Sequence, residues 1–262
     1  GLSNISVFVS EDKCQSFTES KIPSAASITV APRIHSTKED TLRLFTSVGE
    51  ENSFTIFTSE SGDGIKWPRL SQFQPAAGYR NPFIPVLIPS SFGNLVVFQA
   101  QYTSAESGRF SYQLYMTIDS GKAWSQPLLV SGRTSLSARG RKQFHEYQNQ
   151  RPILFEYDGE IYLAWERTDV VNSAIWIQKI NAEGSIAGSA EEVSSAGSAN
   201  RPVLFNYNGS LYITWFDTRR GRESVYMAVK SGSFWNESSL VENRNSNMFA
   251  APLITKESDG SN

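Results

Sequence analysis

Apolar and polar residues alternate along this chain in short runs, and each run ends in a compact polar turn. The clearest run is RPILFEYDGEIYLAW at 151–165, which is matched by RPVLFNYNGSLYITW at 201–215. Each copy predicts a strand, a tight turn containing Asp-Gly or Asn-Gly, and a second strand. The two copies start 50 residues apart, so we expect a structural repeat of that length.

The repeat unit predicts four strands. A third strand is expected at 173–179 and again at 223–229, and each is followed by a hairpin and a fourth strand. Four antiparallel strands that recur in this way are typical of a β-propeller blade. The chain is therefore predicted to be an all-β propeller that forms a single domain over 1–262.

Weaker copies of the repeat extend this prediction to the whole chain. Strands within 1–20 are expected to complete or begin a blade, and the pattern predicts five to six blades in total. Because a lone first strand is expected at 252–255, we also expect the chain to stop within a blade. The blades are predicted to start near residues 32, 85, 152, 202 and 252.

A second motif recurs between the third and fourth strands. Its fullest copy is TIDSGKAW at 117–124, in which Asp119 can accept backbone hydrogen bonds and Gly121 can adopt a positive φ. The aromatic residue that closes each hairpin is expected to pack between blades. The structural set predicted from these hairpins is Asp12, Asp63, Asp119, Gly121, Trp67, Trp124 and Trp235.

Composition excludes several classes of function. Lys and Arg total 24 against 26 Asp and Glu, so no strong positive charge favours a nucleic-acid partner. The single cysteine, Cys14, rules out an internal disulfide, and two histidines make a His-based metal site improbable. We expect no cofactor and no metal. No run reaches the roughly 18 apolar residues of a membrane-spanning helix.

The hairpins resemble the Asp boxes, or bacterial neuraminidase repeats, of the sialidase superfamily. The segment YRNPFI at 79–84 is also similar to the FRIPSL motif of that family. This resemblance implies a propeller whose Asp boxes lie on the face opposite the ligand site. It also implies that Arg80 belongs to an arginine group that holds the carboxylate of sialic acid, since a guanidinium pairs well with a carboxylate.

Strand order places further arginines on the face where Arg80 is expected. In a blade with strands A to D, the D–A and B–C connections share one face, and the A–B and C–D turns share the other. Arg151 and Arg201 stand at the start of first strands, and Arg219 and Arg220 lie in a B–C loop. We expect these residues to bind a ligand with Arg80, although a structural role for Arg151 and Arg201 is the competing interpretation.

Catalytic groups are less evident. The resemblance implies an acid/base Asp in the loop at 102–109, but that loop contains only Glu106 as an acid. It also implies a Tyr nucleophile paired with Glu, for which the neighbouring pair Glu146 and Tyr147 is the candidate. Neighbouring residues of an extended strand point to opposite sides, so this pair needs a bulge to share a proton.

Three functions remain open at this stage. The first is a non-catalytic propeller that binds an anionic glycan such as sialic acid, or a protein partner, through its Arg-bearing face. The second is an active exo-sialidase, and the third is a surface or envelope assembly module. The resemblance implies a secreted, periplasmic or cell-surface location, and sequons occur at Asn4, Asn208 and Asn236.

Overall fold

Four antiparallel sheets of four strands dominate the computed structural model. It describes residues 4–23, 29–50, 53–103, 108–131, 137–138, 141–142, 147–169, 172–195, 197–221 and 223–242. In each sheet the strands lie side by side in chain order, and every pair is antiparallel. The prediction of an all-β propeller built from four-stranded blades is confirmed. The strand predicted near 252 lies outside the described residues.

We name the four sheets blades I to IV, and their strands have the following bounds. Blade I comprises β3 (Thr29–Ser36), β4 (Leu42–Glu50), β5 (Ser53–Ser61) and β6 (Ser71–Gln72). Blade II comprises β7 (Arg80–Ser90), β8 (Gly93–Thr103), β9 (Phe110–Asp119) and β10 (Leu128–Leu129). Blade III comprises β13 (Gln148–Tyr157), β14 (Glu160–Thr168), β15 (Ser173–Ile180) and β16 (Ile186–Glu192). Blade IV comprises β17 (Asn200–Tyr207), β18 (Ser210–Asp217), β19 (Ser224–Ser231) and β20 (Phe234–Glu242).

Two smaller sheets complete the described part. The strands β1 (Asn4–Val9) and β2 (Thr18–Pro23) pair with each other and pack against blade I. The strands β11 (Ser137–Ala138) and β12 (Arg141–Lys142) form a short hairpin between blades II and III. One 3-10 turn, Gln74–Ala76, lies in the connection between blades I and II.

The core lies between neighbouring blades rather than inside any one of them. One apolar cluster fills the gap between blades I and II around Phe45 and Phe98, and a second fills the gap between blades II and III around Leu114 and Leu163. A third joins blades III and IV around Trp215. The first strands β3, β7, β13 and β17 contact each other in that order, so they converge on a common axis.

The tryptophans differ in burial from the sequence expectation. Trp67, Trp124 and Trp235 each pack against a cluster between sheets but remain partly exposed. The fully buried tryptophans of the described residues are Trp165 and Trp215, which end the two sequence repeats. Each lies on a second strand and packs in the apolar cluster that its blade shares with the preceding blade.

Candidate functional site

Each first strand begins with the same backbone irregularity. The register to the second strand shifts between Val30 and Arg33, and shifts at the matching points of β7, β13 and β17. In every blade a bulge holds a non-glycine residue with a φ of 45° to 54°, followed directly by proline. Blade II has two such bulges, and the five bulge residues are Ala31, Asn81, Ile84, Arg151 and Arg201.

The bulge has a physical reason and a consequence. Proline has no N–H group, so the break in the hydrogen-bond ladder at Pro82, Pro152 and Pro202 leaves no donor unpaired. A left-handed backbone before proline is strained, and bulges commonly re-aim a side chain beside a functional site. Because the first strands converge on the axis, the bulge residues of successive blades lie around the same opening.

Arg151 is held in place from two sides. Its backbone N–H donates to Oε1 of Gln99 in blade II, at 3.2 Å. Its guanidinium donates from Nη1 to Oε2 of Glu166, at 2.6 Å. The Arg151 side chain is 44% exposed whereas that of Glu166 is 7% exposed, so a buried carboxylate anchors a guanidinium that still reaches solvent.

Blade II has two such bulges, and Ile84, followed by Pro85, is the equivalent of Arg151 and Arg201 when the strands are aligned on their hairpins. Asn81 holds the additional bulge. The Asn81 side chain is buried, with Oδ1 accepting from the backbone N–H of Phe54 in blade I and Nδ2 donating to Gln101. Arg80 precedes it and is exposed at the first position of β7. Arg80 therefore lies four residues before the position that Arg151 and Arg201 occupy in their blades, and it is not their structural equivalent.

Arg219 is held within an ionic network of blade IV. Its Nε and Nη2 donate to Oδ2 of Asp217, a fully buried carboxylate, at 2.8 and 2.5 Å. Its Nη1 donates to Oε1 of Glu237 and to Oγ of Ser195. The guanidinium also lies 4.3 Å from the ring centre of Tyr226. These contacts use the donor groups that a ligand carboxylate would need, while Arg220 beside it is exposed.

Arg167 is a buried cation that the sequence interpretation missed. Its guanidinium lies 3.8 Å from the ring centre of Trp176, and its Nε donates to Oδ1 of Asn149 at 3.1 Å. Burial lowers the pKa of Arg167, whereas Tyr147 and Glu192 raise it. Burial also raises the pKa of the Glu192 carboxyl, which Arg167 lowers. No sequence signal marks this arginine, because it follows the repeat and two of its three aromatic neighbours, Tyr147 and Trp176, lie outside its own strand.

A buried amide network fixes the approach to the first strand of blade III. Gln113 of β9 accepts from Ser131 and Asn149 through Oε1, and it donates through Nε2 to the backbone carbonyl of Tyr147. Asn149 Oδ1 also accepts from Nε1 of Trp165, at 2.7 Å. These bonds connect blades II and III immediately before the Arg151 bulge.

The catalytic candidates are only partly covered by the described residues. Glu106 and Glu146 lie outside them. Tyr147 is described and half-buried, with the guanidinium of Arg167 5.3 Å from its ring centre. Burial, together with Asp169 and Glu192, raises the pKa of Tyr147, and Arg167 opposes this only in part. This environment disfavours the phenolate that a tyrosine nucleophile needs.

The three acids of the hairpin motif, Asp12, Asp63 and Asp119, each accept hydrogen bonds within their own turns. The Oδ1 of Asp63 accepts from the backbone of Ile65 and Lys66. Hydrogen bonds from Ser16, first from its side chain, lower the pKa of Asp12 to about 2. Cys14 adopts a φ of 68°, the conformation that Gly121 has in the full copy, where φ is 80°.

Asp119 also connects two blades. Its Oδ1 accepts from the N–H of Gly121 at 2.9 Å, and its Oδ2 pairs with Arg43 of blade I at 3.3 Å. The side chains of Arg43 and Asp119 are 13% and 15% exposed, so solvent screens this pair only weakly.

Replacing Asp119 with alanine is expected to lower the free energy of unfolding by about 2 kcal/mol, because a turn bond and a shielded ion pair are both lost. Asp63→Ala, which removes turn bonds without an ion pair between blades, should cost less. Urea denaturation of both variants measures the difference. Equal losses in the two variants would contradict a bridging role for Asp119.

His35 adds a pH-sensitive group between blades I and II. Burial, and secondarily Arg33, lowers the pKa of His35 from 6.5 to about 4. Its Nε2 is buried and has no hydrogen-bond partner among the described residues. The ring centre lies 6.3 Å from that of Phe45, so the imidazole is held against the apolar cluster.

The folded protein is expected to lose stability as pH falls from 6.5 to 4, by up to about 3 kcal/mol from His35 alone. The sign follows because the folded pKa lies below the unfolded pKa, so the unfolded chain binds the proton first. Urea titrations of wild type and His35→Gln at pH 7 and pH 4.5 measure this contribution. Acid sensitivity that is the same in both proteins would refute it.

Other classes of site find no support in the described residues. Within these ranges no group of three or more His, Cys, Asp or Glu side chains is placed to hold a metal ion. No helix in the described part is long and apolar enough to cross a membrane.

Comparison with known proteins supports the fold. By sequence, the chain matches no protein-family model and no curated protein. By structure, it is similar to a protein of unknown function from Dyadobacter fermentans, with a TM-score of 0.58 and 12% identity over 80% of this chain and 68% of that one. A Trypanosoma rangeli sialidase solved with sialic acid gives a TM-score of 0.56 and 12% identity.

The sialidase comparison covers 91% of this chain but only 42% of the sialidase chain. A thermostable family-43 glycoside hydrolase gives a TM-score of 0.51 and 14% identity over 81% of this chain and 73% of that one. At these identities the likeness shows the fold alone: a β-propeller of the kind found in glycoside hydrolases and in a sialidase.

Proposed function

We propose that the propeller binds a carboxylate-bearing glycan, such as sialic acid, at the opening where the first strands begin, and that it does not cleave this ligand. The observation that carries the proposal is the repeated bulge. It places Arg151 and Arg201 at equivalent positions of β13 and β17, two first strands that contact each other. Two arginines at equivalent positions of adjacent first strands suit a single anionic ligand.

A pair of arginines is needed because one exposed guanidinium binds a carboxylate weakly in water. Two neighbouring guanidinium groups raise the local potential and offer bidentate hydrogen bonds. Glu166 contributes by orienting Arg151 before the ligand arrives, which reduces the entropy lost on binding. Arg80 and Arg220 are exposed on the described surface and add positive charge to it.

A binding role is favoured over hydrolysis by the surroundings of Tyr147. Its raised pKa opposes formation of a phenolate. The alternative, an exo-sialidase of the glycoside hydrolase type, draws support from the fold likeness and from Glu106 and Glu146, which remain candidates. The chain is proposed to be an Asp-box propeller of the sialidase type that acts outside the cell, where such glycans occur. A protein partner at the same face is the remaining alternative.

Calorimetric titration with sialic acid and sialyllactose tests the proposal. We expect binding to wild type and a loss of affinity of about tenfold to a hundredfold in Arg151→Gln, since a charge-assisted hydrogen bond is removed. Arg201→Gln should show a loss of similar size. A fluorogenic sialoside should not be turned over by any of these proteins.

Arg69→Gln is the matched control, because Arg69 is exposed in the C–D connection of blade I, on the other predicted face. Thermal melts of each variant separate lost binding from lost folding. Equal binding by wild type, Arg151→Gln and Arg201→Gln would overturn the proposal, as would an absence of binding to wild type. Turnover by wild type would establish the hydrolase alternative and direct attention to Glu106, Glu146 and Tyr147.

A further inference from the structure

A cleft lies between blades I and II, away from the Arg151 bulge. It has a volume of about 350 Å³, within the range of small-ligand sites. One wall is the connection at 74–79, which leads into β7, and the other wall is the segment 124–127, which leads into β10. None of the side chains that line the cleft carries a formal charge.

The cleft exists because the fourth strands of these two blades are short. The strands β6 and β10 are two residues long, whereas β16 and β20 have seven and nine residues. Long fourth strands cover the outer edge of blades III and IV. At blades I and II, irregular backbone takes their place and leaves a concave surface between the two blades.

Aromatic side chains form part of the lining and are held rigidly. Trp124 packs edge to face with Phe73, their ring centres 4.9 Å apart. Tyr79 contacts Tyr115 and Phe98, with ring centres at 4.5 and 5.4 Å. Both Trp124 and Tyr79 remain partly exposed, so ring surface is available to a ligand without rearrangement.

Uncharged polar groups complete the lining. Gln74 and Gln126 stand on opposite walls and are exposed, and Ser125 lies beside Gln126. Carboxamide and hydroxyl groups donate and accept hydrogen bonds but do not select for charge. The nearby cation Arg43, 5.4 Å from the Trp124 ring centre, is already neutralised by Glu60 and Asp119.

We propose that this cleft binds a neutral saccharide unit, with the rings of Tyr79 and Trp124 against its apolar C–H surface and Gln74 and Gln126 bonded to its hydroxyls. This goes beyond the proposed anionic site, since the ligand differs in charge and the residues differ. Addition of a peptide strand is disfavoured here, because Ser125 donates its backbone N–H to Ile118, and Val130 donates to Leu114.

The test follows the indole N–H signal of Trp124 by NMR while neutral methyl glycosides of glucose, galactose and xylose are added. We expect at least one glycoside to shift the Trp124 signal with a saturable curve. Gln126→Ala and Gln74→Ala should each weaken binding about three- to tenfold, the loss for one neutral hydrogen bond. Gln72→Ala is the matched control, because Gln72 is an exposed amide on β6 that does not line the cleft.

The outcomes separate this site from the anionic one. Arg151→Gln should leave glycoside binding unchanged, so failure of one proposal does not imply failure of the other. No saturable shift with any of the three glycosides overturns the inference. A shift that Gln72→Ala reduces as much as Gln126→Ala does also overturns it. A response to a proline-rich peptide but not to glycosides would replace the saccharide with a peptide ligand and overturn it as well.

Discussion

Replacing Trp165 with alanine is expected to lower the free energy of unfolding by about 3–5 kcal/mol. Trp165 has no exposed surface and packs between blades II and III with Leu114 and Leu163. Its Nε1 also donates to Asn149, the residue that connects Gln113 to Arg167. The substitution therefore creates a cavity and removes a bond from a buried network. Urea denaturation of wild type and variant measures the loss.

Trp215 provides a matched comparison at the equivalent position of the next repeat. It is equally buried, but its Nε1 has no hydrogen-bond partner among the described residues. Trp165→Phe should therefore cost about 1–2 kcal/mol more than Trp215→Phe, because only the former removes a hydrogen bond. Trp124→Ala should cost less than Trp165→Ala, since Trp124 is partly exposed. A larger loss for Trp124→Ala would mean that the hairpin aromatics, not the second-strand tryptophans, dominate the core.

The strands were predictable from sequence because the patterns that specify them involve residues close together in the chain. Alternation of apolar residues and the Asp-Gly and Asn-Gly turns determine the first two strands of blades III and IV, and the 50-residue repeat supplies the rest. The roles of the two kinds of tryptophan were less accessible. The burial of an aromatic side chain depends on how far the neighbouring blade extends over it. A sequence repeat carries no information about that extent.

The site was predictable only in part. Repeat matching grouped Arg151 with Arg201, and the structure gives both the same bulge and a positive φ. The motif match to Arg80 falls four residues before the repeat position, which Ile84 occupies in blade II, and blade II has an additional bulge at Asn81. A bulge inserts one residue into one strand only, and no composition rule marks its position. Proline after each bulge residue was the available signal, since proline tolerates a break in the ladder.

Buried arginines account for the remaining differences between the sequence prediction and the structure. Nothing in the sequence distinguishes Arg167 and Arg219 from the surface arginines. In the structure both are largely buried among aromatic rings and polar partners. Some of their partners are close in the chain, as Asp217 is to Arg219, but others lie on distant strands or connections, as Glu237 and Ser195 do. Long-range contacts of this kind cannot be inferred from one sequence. The ligand-binding role expected for Arg219 therefore competes with a structural role that the contacts support.

Arg219→Ala separates these roles, and it is expected to lower the free energy of unfolding by about 3–5 kcal/mol. The reason is Asp217, whose side chain has no exposed surface and whose Oδ2 accepts from Nε and Nη2 of Arg219. Without the guanidinium this carboxylate is left buried without its charge partner, a larger penalty than the attraction that the pair contributes. Glu237 and Ser195 lose a donor at the same time.

Arg220→Ala is the control, because Arg220 is adjacent and exposed. It should cost less stability than Arg219→Ala, because solvent screens the charge of an exposed guanidinium. The double variant Asp217→Asn with Arg219→Ala should recover part of the loss, since the buried charge is then absent. A structural role predicts this recovery together with sialic-acid binding by any Arg219 variant that still folds. If Arg219→Ala instead retains wild-type stability and loses sialic-acid binding, Arg219 is a ligand residue, and its contacts with Asp217 and Glu237 only orient it for the ligand.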